Sequence, residues 1–254
     1  MTFAAYPSLA GRTVFVSGGA SGIGADIVRA FAANHAKVAF VDLIADAGQA
    51  LEKEIAGAGE TALFLACDVT DIEALKGAIR TTRERLGPIA ALVNNAANDE
   101  RHRVSDVTPE YWDHTQNVNL RHHFFAAQAV HPHMAELGFG SIVNLSSIVW
   151  CAGAGDMPAY SAAKAGIIGL TRALARAFGP DNIRVNAIEP GAVMTARQRE
   201  LWYRTQASVD AIVQRQLIRT TLIGADVARV ALFLAADDSR MVTKQSIAVD
   251  AGLR

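Results

Sequence analysis

The chain has 254 residues, 51% of them hydrophobic, and a formal net charge of −1, which suits one large α/β domain or two small ones with ample material for a core. Balanced charge without a basic run argues against nucleic acid as a partner, and no uninterrupted apolar stretch approaches the roughly 20 residues of a membrane helix. The N-terminal MTFAAYPSLAGRTVFVSGG lacks a charged region followed by a long apolar run, so no signal peptide is expected, and two cysteines, Cys67 and Cys151, make no disulfide framework and fit a reducing, cytoplasmic setting.

In chain order, Thr13–Ser17 (TVFVS) is a β-rich run that leads straight into GGASGIG, with Gly18, Gly22 and Gly24 at Gly-x-x-x-Gly-x-Gly spacing, and residues 25–34 then have helical character. A strand, a glycine turn and a helix start make an anion site, because glycines admit a close phosphate and the free N–H groups with the helix dipole attract it. Residues 37–41 (KVAFV) predict a second strand ending at Asp42. An acidic residue about 20 positions beyond the glycines accepts hydrogen bonds from adenosine ribose hydroxyls and repels an added phosphate. Leu43 and Ile44 beside it offer no arginine to hold one, so NAD is the expected dinucleotide.

Residues 45–58 are expected as helix, 61–66 as strand closing at Cys67-Asp68-Val69, and Ile72–Leu86 as helix stopped by Gly87-Pro88. A brief apolar strand at 91–93 runs into Asn94-Asn95-Ala96-Ala97, and a polar loop, NDERHRVSD, follows. Thr108 is a candidate N-cap with Pro109 at the first helical position, opening a long helical stretch that carries Asn119 and then Arg121-His122-His123. Alternating strands and helices point to a parallel sheet covered on both faces. No linker or internal repeat marks a domain boundary.

Residues 141–164, SIVNLSSIVWCAGAGDMPAYSAAK, hold the chemistry. An apolar strand stops at Ser146 and Ser147, a glycine-containing loop follows, and Tyr160 and Lys164 then stand four apart on one helical face. A hydroxyl at a strand end facing a phenol, with an ammonium one turn on, suits proton transfer, because the ammonium favours the phenolate. Residues 183–188 read as a further strand ending in Glu189-Pro190-Gly191. Residues 192–221 are polar, arginine-rich and irregular in pattern, 224–236 return to helix, and Ser246–Val249 is the last strand before Asp250. The histidines, among them His122-His123 and His131-Pro132-His133, have no Cys or carboxylate cluster to complete a metal site. They are expected at the surface or packing between helices.

The order Ser17-Gly18-Gly19-Ala20-Ser21-Gly22-Ile23-Gly24, Asp68-Val69, Asn94-Asn95-Ala96, Asn119, Ser147, Tyr160-x-x-x-Lys164, Pro190-Gly191 and Asp250 resembles the short-chain dehydrogenase/reductase family over nearly the whole chain. The resemblance implies a doubly wound (Rossmann) seven-stranded parallel sheet with helices on both faces, in one domain. It assigns a catalytic tetrad to Asn119, Ser147, Tyr160 and Lys164, with Ser147 chosen over Ser146 by its spacing from Tyr160. It assigns NAD contacts to Gly18, Ser21, Gly22, Ile23, Gly24, Asp42 and Leu43, with Asp68 and Val69 at the adenine and Asn95 and Ala96 on the adenosine side. Tyr160 and Lys164 meet the nicotinamide end, and Val193 the carboxamide. Hydride would leave a carbinol carbon for the nicotinamide while Tyr160 takes the hydroxyl proton, with Asn119 holding a water between Lys164 and solvent. Ser17 in place of the usual Thr keeps a hydroxyl. Ala97 and Ala163 stand where Gly and Ser are common, and Lys244 stands where Gly is often found, which puts the C-terminal loop in question.

The blocks NNAANDERH, NVNLRHHFF, Ser147-Ile148-Val149-Trp150 and TARQRELWY resemble the aldose 1-dehydrogenase branch of that family. That likeness implies oxidation of an aldopyranose at C1 to a lactone. Ser147, Asn98, Trp150, Glu189, Arg197 and Trp202 are the substrate candidates, with Asp99, Arg101 and His102 as further polar partners for sugar hydroxyls. A mobile lid is expected around 193–221, and a homotetramer pairing through the helices of Asn119 and Tyr160. Other secondary alcohols or ketones (polyol, 3-oxoacyl thioester, steroid) and a dinucleotide-binding regulator without turnover are the competing readings.

Overall fold

The computed structural model describes residues 3–254. Seven parallel strands form one sheet: β1 (Thr13–Ser17), β2 (Lys37–Asp42), β3 (Ala62–Ala66), β4 (Ile89–Asn94), β5 (Gly140–Leu145), β6 (Ile183–Pro190) and β7 (Ser246–Val249), in the order β3-β2-β1-β4-β5-β6-β7. The chain winds outward one way from β1 and then the other way from β4, so a crevice opens beyond the carboxyl ends of these two neighbours. Side chains alternate across each strand. Val14 and Val16 of β1 therefore join one core with Val28, Phe31, Val227 and Leu232, while Phe15 between them joins the other with Ile79, Leu92, Val130 and Ile142.

The helices covering the first core are α1 (Gly22–Ala32), α2 (Ala45–Gly57) and a late helix, Gly224–Ala235. The second lies under α3 (Ile72–Leu86), α5 (His122–Leu137) and α7 (Pro158–Phe178). α3 keeps its expected bounds because Asp71 caps the amides of Glu73 and Ala74 and Gly87 leaves the helix at φ +96°. α4 (Pro109–Gln116) starts where Thr108 accepts from the Tyr111 amide.

Three departures bear on the site. The long helix carrying Asn119 is interrupted by a π turn at Asn117–Arg121 between α4 and α5; such widened turns recur at functional positions. A short helix, α6 (Val149–Ala152), follows the serines and ends at Gly153 with φ +73°. The 192–221 segment is not irregular: it forms α8 (Ala196–Leu201) and α9 (Gln206–Arg215), capped by Thr195 and Thr205. α8 buries no side chain, and α9 packs only Val209 and Ile212 with Met194 in a small core, too few apolar positions to leave a strong period. The helix Gly224–Ala235 is α10. Lys244 takes a left-handed φ of +64°, the backbone state for which Gly is the unstrained residue, so the loop keeps its shape with a strained lysine in it. Among the described residues no helix is long and apolar enough to cross a membrane.

Candidate active site

At the crevice the glycine turn is packed by main chain. A Cβ on Gly18, whose φ is +67°, would lie 2.6 Å from the Cα of Ala96, and one on Gly24 would lie 1.8 Å from the Gly18 carbonyl oxygen. Ser17 at the end of β1 explains why a hydroxyl suffices there: its Oγ accepts the amides of Asn95 at 3.0 Å and Ala96 at 3.2 Å. Asn95 returns the contact, donating Nδ2 to the Gly18 carbonyl at 2.8 Å. β1 and β4 thus hold the turn rigidly in front of α1. A Cβ at Gly22 would stand 3.3 Å from Thr195, narrowing the approach to the helix N-terminus beside exposed Ser21.

Asp42 stands at the end of β2 and its carboxylate accepts from the amides of Ala20 at 2.9 Å and Ile44 at 3.1 Å. Leu43 and Ile44 are 70% and 52% exposed, apolar faces with nothing of the chain over them. Asp68 caps its own turn, accepting from the Thr70 amide and hydroxyl, beside buried Val69. Val193 is buried after the Pro190-Gly191 turn. This set fits a dinucleotide: a glycine cradle at a helix N-terminus for the pyrophosphate, and a carboxylate beyond β2 for a ribose.

The four candidate catalytic residues converge on the end of β5. Lys164 is buried, and its Nζ donates to the Leu145 carbonyl at 2.8 Å and lies 5.3 Å from the centre of the Tyr160 ring. Ser146 is engaged by α7, donating Oγ to the Lys164 carbonyl at 2.7 Å. Ser147 is partly open, its Oγ accepting the Val149 amide at 3.3 Å and lying beside the Tyr160 phenol. Asn119, within the π turn, donates Nδ2 to the Thr115 carbonyl and accepts the Asn98 amide, both at 2.9 Å. Both ends of its side chain are engaged, which ties the helix interruption to the loop 98–102.

Burial dominates the electrostatics of the Tyr160 and Lys164 pair. Burial pushes the Tyr160 phenol up, the charge of Asp99 adds to that, and the Ser147 hydroxyl opposes it. Burial brings the Lys164 ammonium down to about 7, with Asp99 working the other way. The Lys164 ammonium is held at a strand carbonyl and is itself poorly solvated.

Opposite the glycine turn the polar candidates assemble by side chains. Arg197 on α8 reaches Asp99 at 3.3 Å and Asn98 at 3.1 Å, and Gln198 donates to the other Asp99 oxygen. The Arg101 guanidinium lies 4.3 Å over the Trp202 ring and pairs with Asp156 at 3.1 Å. His102 contacts the Tyr111 hydroxyl at 2.9 Å. Glu189 does not join this group. It is 1% exposed, and its carboxylate accepts from Ser246, from Arg254 and, at 3.1 Å, from the Trp150 indole N–H. The expectation that Glu189 meets substrate gives way to an anchoring role: it holds Trp150, 38% exposed, at the rim. Sequence reasoning missed Gln198, Ser246 and Arg254 as partners; no local motif marks them. Among the described residues no three His, Cys, Asp or Glu side chains form a metal-ligating group.

A doubly wound sheet with a serine, a tyrosine and a lysine around one strand end defines a nicotinamide-dependent oxidoreductase class. The comparisons agree. The family model described as enoyl-(acyl carrier protein) reductase matches residues 18–254. A probable galactose dehydrogenase from Rhizobium meliloti is 48% identical, covering 98% of this chain and 97% of that one. D-xylose 1-dehydrogenase from Caulobacter vibrioides is 44% identical over the full length of both. The solved structure of a putative short-chain alcohol dehydrogenase from Sinorhizobium meliloti superposes with a TM-score of 0.92 at 35% identity, covering 98% of each chain. The chain belongs to the short-chain dehydrogenase/reductase family, oxidoreductases that use nicotinamide dinucleotides.

Proposed function

We propose that the protein oxidises an aldopyranose at C1 to its lactone with NAD as the acceptor. The observation that carries the sugar assignment is the polar wall of Asn98, Asp99, Arg197 and Gln198, whose Asp99 charge reaches Tyr160, with the half-exposed Trp150 as a candidate aromatic face. Neutral polyhydroxylated rings are held by such carboxylate, amide and guanidinium groups against an aromatic face. The names of the two curated relatives point the same way. Asp42 supports NAD over NADP, since its carboxylate repels a ribose phosphate and neither Leu43 nor Ile44 can neutralise one.

Bound oxidised NAD supplies the hydride acceptor and a positive ring charge close to Tyr160. Ser147 positions the C1 oxygen, and Tyr160 takes the hydroxyl proton as the C1 hydride departs. Lys164, held at the Leu145 carbonyl, passes the proton on towards solvent by way of a water held at Asn119. Gly18, Ser21, Gly22, Ile23 and Gly24 bind the pyrophosphate, Asp42 and Leu43 the ribose, Asp68, Val69, Asn95 and Ala96 the adenosine, and Val193 the carboxamide. Helices α8 and α9 act as a lid that excludes water. A cytoplasmic homotetramer pairing through α4, α5 and α7 completes the proposal; Trp112 and Phe124 on the first two are each 41% exposed.

The test is nicotinamide absorbance at 340 nm with a panel of aldoses, polyols and a 3-hydroxyacyl thioester, each with NAD and with NADP. Aldose turnover with NAD favoured is the expected result. Turnover of the thioester alone, or an NADP preference, overturns the corresponding half.

A further inference from the structure

One charged group in the crevice has no task in hydride transfer. Asp99 sits in the loop after β4, its side chain 24% exposed. On one side it faces α8: Oδ1 accepts from Arg197 Nε at 3.3 Å and Oδ2 accepts from Gln198 Nε2. On the other side its charge is felt at both Tyr160 and Lys164. Its neighbour Asn98 fixes the loop, donating its amide to Asn119 at 2.9 Å and accepting from Arg197 at 3.1 Å. Asp99 therefore stands between the lid helix and the reacting hydroxyls, on a stretch of main chain tied to the π turn.

Acceptor counting says what more it can do. An ionised carboxylate offers about four lone-pair sites and no donor, and the two lid contacts take one on each oxygen. The free site on each oxygen suits O–H donors on adjacent carbons. Such O–H···O⁻ bonds are short and about twice as strong as neutral ones. An amide in the same place would present only one accepting atom, and it carries no charge.

We propose that Asp99 is the specificity-determining residue of the site, accepting hydrogen bonds from two neighbouring ring hydroxyls of the aldose while it holds Arg197 and Gln198. Sugar recognition and the seating of α8 then share one carboxylate. The proposal rests on the aldose assignment made above. It goes further by naming the group that distinguishes a sugar with two free adjacent hydroxyls from one lacking either.

The test uses the full-length enzyme, the best aldose from the panel and its monodeoxy analogues, with wild type and Asp99→Asn. NADH binding by fluorescence and Tm are read alongside. In wild type, two analogues lacking hydroxyls on adjacent carbons are expected to lose about 10-fold or more in kcat/KM, since a site built to bond a hydroxyl rejects its absence. Asp99→Asn is expected to lose about 10- to 100-fold on the parent sugar, mainly through KM, with NADH binding kept. It should then lose little more on those two analogues, because the contact is already gone. Asp99→Ser, smaller and unable to clash, is the second variant should the first not fold, and the same pattern is expected. Equal losses for parent and analogues would make Asp99 a lid latch without sugar contact and overturn the proposal while aldose oxidation stands. Unchanged kcat/KM would overturn it as well. If wild type turns over no aldose, the function assignment itself fails and the proposal falls with it.

Discussion

The glycine-turn side of the crevice and the side formed by loop 98–102 with α8 are built by different means. On the first, main chain meets main chain: Gly18 against Ala96, Gly24 against the Gly18 carbonyl, and the Asn95 and Ala96 amides on Ser17. On the second, charged side chains from segments nearly 100 positions apart hold each other, as Arg197 holds Asn98 and Asp99. Main-chain packing serves any dinucleotide whatever the partner substrate. Side-chain contacts can be exchanged singly, which suits the half that has to recognise one substrate among many. The proposed reacting group lies on the border, with Tyr160 and Lys164 on α7, which is clasped to the end of β5.

The largest expected effect separates these halves. Tyr160→Phe removes the proton acceptor and leaves both walls in place, so turnover should fall by at least about 10²–10⁴-fold. NADH binding, followed by fluorescence, should stay within a few-fold of wild type. Near-wild-type turnover would remove Tyr160 from the chemistry; loss of NADH binding with it would mean that the two halves cannot be separated.

Next comes the anchor behind the substrate wall. Arg254→Ala leaves the Glu189 carboxylate, 1% exposed, with only the Trp150 indole and the Ser246 hydroxyl. Stripping a donor from a buried acceptor costs about 1–3 kcal/mol, and the looser Trp150 should raise the sugar KM more than that of NAD. Thermal unfolding and the two KM values check this. An increase confined to NAD would place the anchor in the wrong half.

How much of this was legible in the sequence follows the same division. The glycine turn, Asp42 at a strand end, and α3 between Asp71 and Gly87 are set by neighbours in the chain, and spacing reveals them. Ser147 and Tyr160-x-x-x-Lys164 are legible as a pattern, but the bond from Lys164 to the Leu145 carbonyl is not. Helices α8 and α9 bury too few side chains to impose a period, although Thr195 and Thr205 were usable cap signals. Glu189 shows the limit most plainly: alternation in a buried strand cannot tell a carboxylate facing substrate from one held by Arg254, 65 positions on.

A third prediction concerns the ground beneath both halves. His122 and His123, the first two residues of α5, are fully buried, their ring centres 4.4 Å apart. Burial and then the Lys164 charge bring His122 down to about 3; burial, His122 and Lys164 bring His123 well below its usual range. The unfolded chain takes up these protons below about pH 6.5, whereas in the native protein His122 does so only near pH 3 and His123 is held well below its usual range, so stability is lost as pH falls below about 6.5. For His122 alone the loss at pH 5 relative to pH 7 is about 2 kcal/mol. Urea midpoints at the two pH values, compared between wild type and His122→Asn, check it, with a flatter dependence expected in the variant. Parallel curves would show that the pair is not what makes the protein acid-sensitive.

The smallest effect lies farthest from either wall. Lys244 keeps a left-handed φ of +64° while its amide donates to the Val185 carbonyl at 2.8 Å, just before β7 begins. A side chain in that region costs roughly 1–2 kcal/mol, and glycine removes the strain but frees the unfolded chain by about 0.5–1 kcal/mol. Lys244→Gly should therefore raise stability by somewhat under about 1 kcal/mol, seen as a rise of a few degrees in Tm with kcat and both KM values unchanged. A fall in Tm would mean that the lysine contributes more through its stem or charge than its backbone gives up. A change in the sugar KM would show that the β7 loop is coupled to Glu189 through Ser246, two residues further on.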